Sequence, residues 1–326
     1  MIIQLFVQFA LASTLLRLFP VDARDLEASV FSLTQPTRSS TYSVFTLPYA
    51  QPLSESVSQS PVKRDPRRLG IVTSAESAIV IDRRSGAILF EKNRDAPRSI
   101  GSITKLMTAF VFLDGQPDLS ATAMLLSEDV RLGGVQHIQL GQEVQVRDLL
   151  YASLVSSDNS ATAALVRLSG MAYGDFVAKM NETAASMGMT QTQFVDPTGL
   201  SAKNTSVVLD IARLVDQVAK KEIIRDATTH PIFTLQTASG STYVLENTDD
   251  LLTSFINQDP YKIMTAKTGF LPEAGYCFGA MFSRANKDEI ISVVLGSASD
   301  MGRFQDVKAM TAWVYDVYSW EGSGQI

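Results

Sequence analysis

The sequence predicts an α+β protein built on one sheet. Three observations carry that prediction. Two short apolar runs surround a turn near residue 80, three more apolar runs lie between residues 261 and 296, and the long stretch between the two groups shows helical patterning. Five strands drawn from both ends of a chain, with helices between them, imply a single sheet that the two ends complete together.

In order, residues 77–81 and 87–91 flank Asp82-Arg83-Arg84-Ser85-Gly86, which reads as a hairpin turn. Helical patterns follow at 102–114, 146–169, 173–187 and 207–220, the third stopped by Gly188. Strands are expected at 261–267, 275–283 and 289–296, the last two joined by Arg284-Ala285-Asn286-Lys287-Asp288, and residues 303–320 read as a closing helix.

Composition narrows the class. With 326 residues, 45% of them apolar and 19% charged, the chain can bury one large core or two lobes, and it is neither disordered throughout nor polytopic. Its net charge of -6 argues against nucleic acid as a partner. The one basic run, Lys63-Arg64-Asp65-Pro66-Arg67-Arg68, reads as a solvated linker. A single cysteine, Cys277, allows no intrachain disulfide, and with only two histidines the chain cannot build a typical zinc site; no metal and no cofactor is expected. Cys277 sits in an apolar run and reads as core filler, while His137 and His230 read as structural or surface residues.

Residues 2–16 are mostly apolar, and Val21-Asp22-Ala23 places small residues where a signal peptidase reads, so a signal peptide over residues 1–23 is expected. Arg17 interrupts the run and Gln4 and Gln8 dilute it, which disfavours a full membrane span; an uncleaved N-terminal anchor is the alternative. Residues 24–68, rich in Ser, Thr, Pro and Gln, read as a disordered tether, and residues 69–326 as the catalytic domain.

Three motifs occur in one order: Ser102-Ile103-Thr104-Lys105, Ser157-Asp158-Asn159 and Lys267-Thr268-Gly269. Together they describe a serine acyl-transfer site that needs no histidine. The first precedes an apolar run, Leu106 to Leu113, suited to a buried helix, so Ser102 would sit in a first helical turn with Lys105 one turn on. A second Ser-x-x-Lys, Ser60-Pro61-Val62-Lys63, has no helix to sit on.

These motifs resemble those of the low-molecular-mass penicillin-binding proteins, the serine D-Ala-D-Ala carboxypeptidase and endopeptidase family. The likeness runs from about residue 75 to 320 and extends to Ala78-Ile79-Val80-Ile81-Asp82, Arg147-Asp148-Leu149-Leu150-Tyr151 and Ala274-Gly275-Tyr276-Cys277. It implies a β-lactamase/transpeptidase-like fold, a five-stranded antiparallel sheet flanked by helices with an inserted, mostly helical lobe, and an active site in the cleft between them.

The resemblance also implies roles. Ser102 would be the nucleophile, and the backbone N–H groups of Ser102 and Phe270 the oxyanion hole. Lys105 would be the base, its pKa depressed by burial and by the charge of Lys267. Ser157 would lie between the two lysines and relay a proton, with Asn159 bonded to Lys105 or the substrate. Lys267, Thr268, Gly269 and Arg303 would hold the substrate carboxylate. Two departures stand out: Leu271 replaces a usual threonine, and Asn247-Thr248-Asp249-Asp250-Leu251-Leu252 carries Asp249 where the family has asparagine.

The expected activity is a D-Ala-D-Ala carboxypeptidase that trims peptidoglycan stem peptides through a Ser102 acyl-enzyme. An endopeptidase acting on cross-links, a class A β-lactamase and a catalytically silent wall-binding protein are the alternatives. The lactamase reading lacks a Glu-x-x-Leu-Asn segment between Ser157 and Lys267. Partners would be stem peptides and β-lactam antibiotics as covalent inhibitors, with no nucleic acid, and with the membrane only through an uncleaved N-terminal segment. The protein would work outside the cytoplasm, in the periplasm or the extracellular wall space.

Overall fold

Strands from both ends meet in one antiparallel sheet. In the computed structural model, which describes residues 59–134 and 136–321, its strands are β1 (Ser77–Asp82), β2 (Ile88–Lys92), β3 (Tyr261–Leu271), β4 (Gly275–Arg284) and β5 (Asp288–Ser297). Their order is β3-β4-β5-β1-β2. The two ends of the chain join through β5 and β1, where Val293 faces Ile79 and Ser292 faces Val80.

Side-chain alternation puts each strand's residues on opposite faces, and here both faces are covered. Ile79, Cys277, Met281, Ile291 and Val293 enter the core shared with the helical lobe. Ala78, Val80, Phe278, Phe282 and Val294 enter a second core under the last helix. That is why these strands read as nearly continuous apolar runs rather than as alternating ones.

The helices are α1 (Thr104–Asp114), α2 (Val146–Leu154), α3 (Asn159–Leu168), α4 (Tyr173–Ser186), α5 (Val208–Val218), α6 (Glu222–Thr229) and α7 (Asp300–Val317). Helix α1 is buried along most of its length, as its run of Leu106, Met107, Ala109, Val111 and Phe112 requires. Helix α7 buries Phe304, Val307, Met310, Thr311 and Val314, a spacing of three and four that lays one face on the sheet. Its start is capped by Ser299, whose Oγ accepts from Gly302 N at 3.0 Å.

The single helix expected over 146–169 is two. Between α2 and α3 the chain turns at Ser157, whose φ of 61° is left-handed, and Asp158 then caps α3 by accepting from Ala161 N at 2.9 Å. The closing helix starts three residues earlier than expected and ends at Val317. Helix α6 and a hairpin of Ile232–Gln236 with Thr242–Glu246 were not anticipated.

The expected signal peptide and most of the expected tether lie outside the described residues. From residue 59 the chain is described, and there the tether boundary at 68 needs correction. Val62–Lys63 pairs antiparallel with Tyr318–Ser319, and Arg64 N donates to Val317 O at 2.8 Å. Lys63 lies 5.9 Å from the Trp313 ring centre, and Arg68 pairs with Asp316. The basic run is thus attached to the folded body, in the same compact unit, Ser56–Ile326, as the sheet. Among the described residues no helix is long and apolar enough to cross a membrane.

Candidate active site

A cleft of about 400 Å³ is lined by Ser102, Ser157, Asn159, Thr268, Gly269, Phe270 and Arg303, so residues from all three motifs converge. Ser102 lies in a short 3-10 turn, Gly101–Ile103, that leads into α1, rather than in the helix itself. The turn is pressed against β3. A Cβ on Gly101 would stand 2.8 Å from Phe270 N, and one on Gly269 would stand 2.3 Å from Ile100 O. Only glycine lets the strand and the nucleophile's turn approach this closely.

Lys105 is fully buried and its Nζ reaches three oxygens: Ser102 Oγ at 2.9 Å, Asn159 Oδ1 at 2.6 Å and Thr198 O at 2.7 Å. The Asn159 orientation is fixed, because its Nδ2 donates to Gly133 O at 2.7 Å. Two of the three partners of Lys105 can only accept, whereas the serine hydroxyl can also donate. A neutral Lys105 would therefore keep its two N–H bonds to Asn159 and Thr198 and aim its lone pair at the Ser102 hydroxyl.

Burial lowers the Lys105 pKa to about 7, against the opposing pull of Asp196 and Asp158. Desolvation is the larger cause, and the two buried lysines disfavour each other's charge. Lys267 is itself held well below an ordinary lysine by burial first, then by the charges of Lys105 and Arg303. Its Nζ makes only long contacts, 3.3 Å to Thr248 Oγ1 and 3.4 Å to Thr268 Oγ1, while those two hydroxyls lie 2.6 Å apart.

Ser157 lines the cleft, yet among the described residues its hydroxyl bonds neither lysine, so the expected relay is not formed here. Asp158 is structural: besides capping α3 it accepts from His137 N at 3.0 Å. Arg303 is buried at the cleft wall, donates to Gly269 O at 3.3 Å and pairs with Asp300. Phe270 is half exposed at the rim, its ring 4.5 Å from that of Tyr276. Cys277 is buried in the core, where burial pushes its thiol up to about 11.

The segment Phe194 to Leu200 resembles the family in sequence, but no motif gives Thr198 a role at Lys105. Asp196 Oδ1 accepts from Thr198 N at 2.7 Å and from Gly199 N at 2.9 Å, and Asn204 Nδ2 bonds Asp196 O at 2.8 Å. Gly199 is indispensable to this approach, since a Cβ there would lie 2.2 Å from Gly101 O. The segment Phe194 to Leu200 thus contributes a carbonyl to Lys105 and no carboxylate to Ser102, unlike the glutamate a class A lactamase needs.

The D-alanyl-D-alanine carboxypeptidase family, peptidase family S11, matches residues 64–299. The chain belongs to that family. It is 32% identical over 275 residues to a D-alanyl-D-alanine endopeptidase of Pseudomonas aeruginosa, covering 83% of this chain and 87% of that protein. Among solved structures, the Streptomyces K15 DD-transpeptidase superposes with a TM-score of 0.71 at 26% identity, over 77% of this chain and all of that one. Penicillin-binding protein D2 of Listeria monocytogenes, solved in a cefotaxime-bound form, gives 0.64 at 31% identity, over 76% of this chain and all of that one. The fold is accordingly the penicillin-binding, transpeptidase-like one, and the protein is a serine DD-peptidase.

Proposed function

We propose that the protein is a D-Ala-D-Ala carboxypeptidase of peptidoglycan stem peptides that works through an acyl-enzyme on Ser102. The observation that carries this reading is the Lys105 environment, a buried amine whose one donating neighbour is the Ser102 hydroxyl. Neutral Lys105 accepts the hydroxyl proton as Ser102 Oγ bonds to the penultimate D-Ala carbonyl carbon. The oxyanion so formed is met by the N–H groups of Ser102 and Phe270. The peptide C–N bond then breaks, and the proton held by Lys105 passes to the departing D-Ala amine. Water attacks the ester carbonyl and gives a proton to Lys105, which returns it to Ser102 Oγ as the acyl C–O bond breaks and the shortened peptide leaves as a carboxylic acid.

Lys267, Thr268 and Arg303 would receive the substrate carboxylate, with Gly269 keeping the strand edge open. A β-lactam would enter the same cleft and stall as the acyl-enzyme. Peptidoglycan as substrate implies action outside the cytoplasm, reached through residues 1–23 as a signal or anchor, with the residues before Val62 as spacer.

A second reading, endopeptidase action on cross-links, is favoured by the Pseudomonas relative named above. Mass spectrometry of muropeptides after incubation separates the two. Pentapeptides shortened by one D-Ala with dimers intact support the carboxypeptidase; dimers cut to monomers with pentapeptides intact would replace it with the endopeptidase.

A further inference from the structure

Among the described residues, two buried polar atoms of opposite charge at the carboxylate end of the cleft have no hydrogen-bond partner: Asp249 Oδ2 and Arg303 Nε. Asp249 is buried, and its other oxygen, Oδ1, accepts from Leu251 N at 2.9 Å to start the turn Asp250–Thr253. The residue before it, Thr248, lines the cleft and touches both Thr268 and Lys267. The carboxylate therefore stands one residue behind the wall that would receive a substrate carboxylate. It forms no ion pair with Lys267 on β3 or Arg303 on α7, although both act on it electrostatically. The other charges facing this cluster are Asp250, next in the chain, and Asp300, paired with Arg303.

We propose that Asp249 is a positioning residue that sets how strongly the cleft prefers a ligand bearing a free carboxylate. This rests on the carboxylate-binding role given above to Lys267, Thr268 and Arg303. Asp249 stands where the family pattern has asparagine, and the acid makes the local charge adjustable. When Asp249 is protonated, the cations behind the cleft wall act on the ligand uncompensated. When it is ionised, one negative charge offsets them and faces a second carboxylate across the wall. Burial raises this group to about 7, with Lys267 and Arg303 pulling it back, so the change falls in the working range. A unit charge across a few residues of protein changes the affinity for a second charge by about tenfold.

The test uses the full chain and two probes, benzylpenicillin and its methyl ester, with acylation rates followed from about pH 5.5 to about 8.5. Titration of Lys105 affects both probes, so it cancels in their ratio. In the wild type the acid-to-ester ratio should fall about tenfold as pH rises through the Asp249 titration. In Asp249→Asn the ratio should fall less than in the wild type, only the titration of Lys267 remaining to lower it. Equal ratios in both proteins at every pH would overturn the proposal, because Lys267 would then be the titrating group. Equal losses with acid and ester would also overturn it, as the mark of a merely structural residue. Asp249→Ala removes the same charge if the amide variant does not fold. An enzyme that is acylated yet cleaves no D-Ala-D-Ala peptide would refute the substrate assignment, while the ratio still decides the role of Asp249.

Discussion

Lys105 shows how one side chain acquires a role from its surroundings. Its ammonium is stripped of water and left with three oxygens, which lowers the pKa to about 7. The base form grows as pH rises, so acylation by benzylpenicillin methyl ester, which lacks the free carboxylate, should rise about tenfold per pH unit below the transition and level off above it. Lys105→Arg should slow acylation by about 10²–10⁴-fold, because a guanidinium keeps its proton. Lys267→Arg should do less harm, since charge and hydrogen bonds are all that its role requires. Stopped-flow acylation against pH for the three proteins checks this, and a near-normal Lys105→Arg with a dead Lys267→Arg would reverse the two roles. Ser102, Lys105 and Asn159 were legible in the sequence because the chemistry demands those side chains at those spacings. Thr198 was not, because it contributes a backbone carbonyl that any residue carries, and what aims it is the Asp196 and Asn204 hydrogen-bond set. Ser157, expected between the two lysines as a relay, lines the cleft with no bond to either lysine among the described residues.

At the scale of elements, the stretch from Val62 to Arg68 adds backbone pairing of Val62–Lys63 with Tyr318–Ser319, a contact of Lys63 with the Trp313 ring and an ion pair of Arg68 with Asp316 at the edge of the body. Each backbone bond is worth about 1 kcal/mol and an exposed ion pair less. A chain starting at residue 59 should therefore melt like the full-length protein. One starting at residue 69 should still fold and bind penicillin but lose about 1–3 kcal/mol, a drop of several degrees in Tm, measured by calorimetry. Equal melting of the two would show that the stretch adds no stability. Strands β1, β4 and β5 were legible because burial on both faces makes them apolar almost throughout, whereas the partly exposed β2 shows mainly through the turn that precedes it. The break between α2 and α3 was not, since no glycine or proline marks it and a serine takes the left-handed turn. The hairpin Ile232–Gln236 with Thr242–Glu246 was missed because three of the five residues in each strand are exposed, leaving little apolar signal.

At the scale of the molecule, the topology itself builds the site. The sheet brings β3, from late in the chain, against the Gly101–Ile103 turn, while the inserted helices carry Asn159 and Ser157 to the opposite wall. No single segment holds more than part of the chemistry, so the central claim concerns where a covalent bond forms. The most direct measurement is the intact mass of the protein after brief exposure to benzylpenicillin, followed by peptide mapping of the adduct. One penicilloyl group on Ser102, absent in Ser102→Ala while that variant keeps its wild-type melting curve, is the predicted result. An adduct on Ser157 or Ser60, or one that survives in Ser102→Ala, would contradict the account.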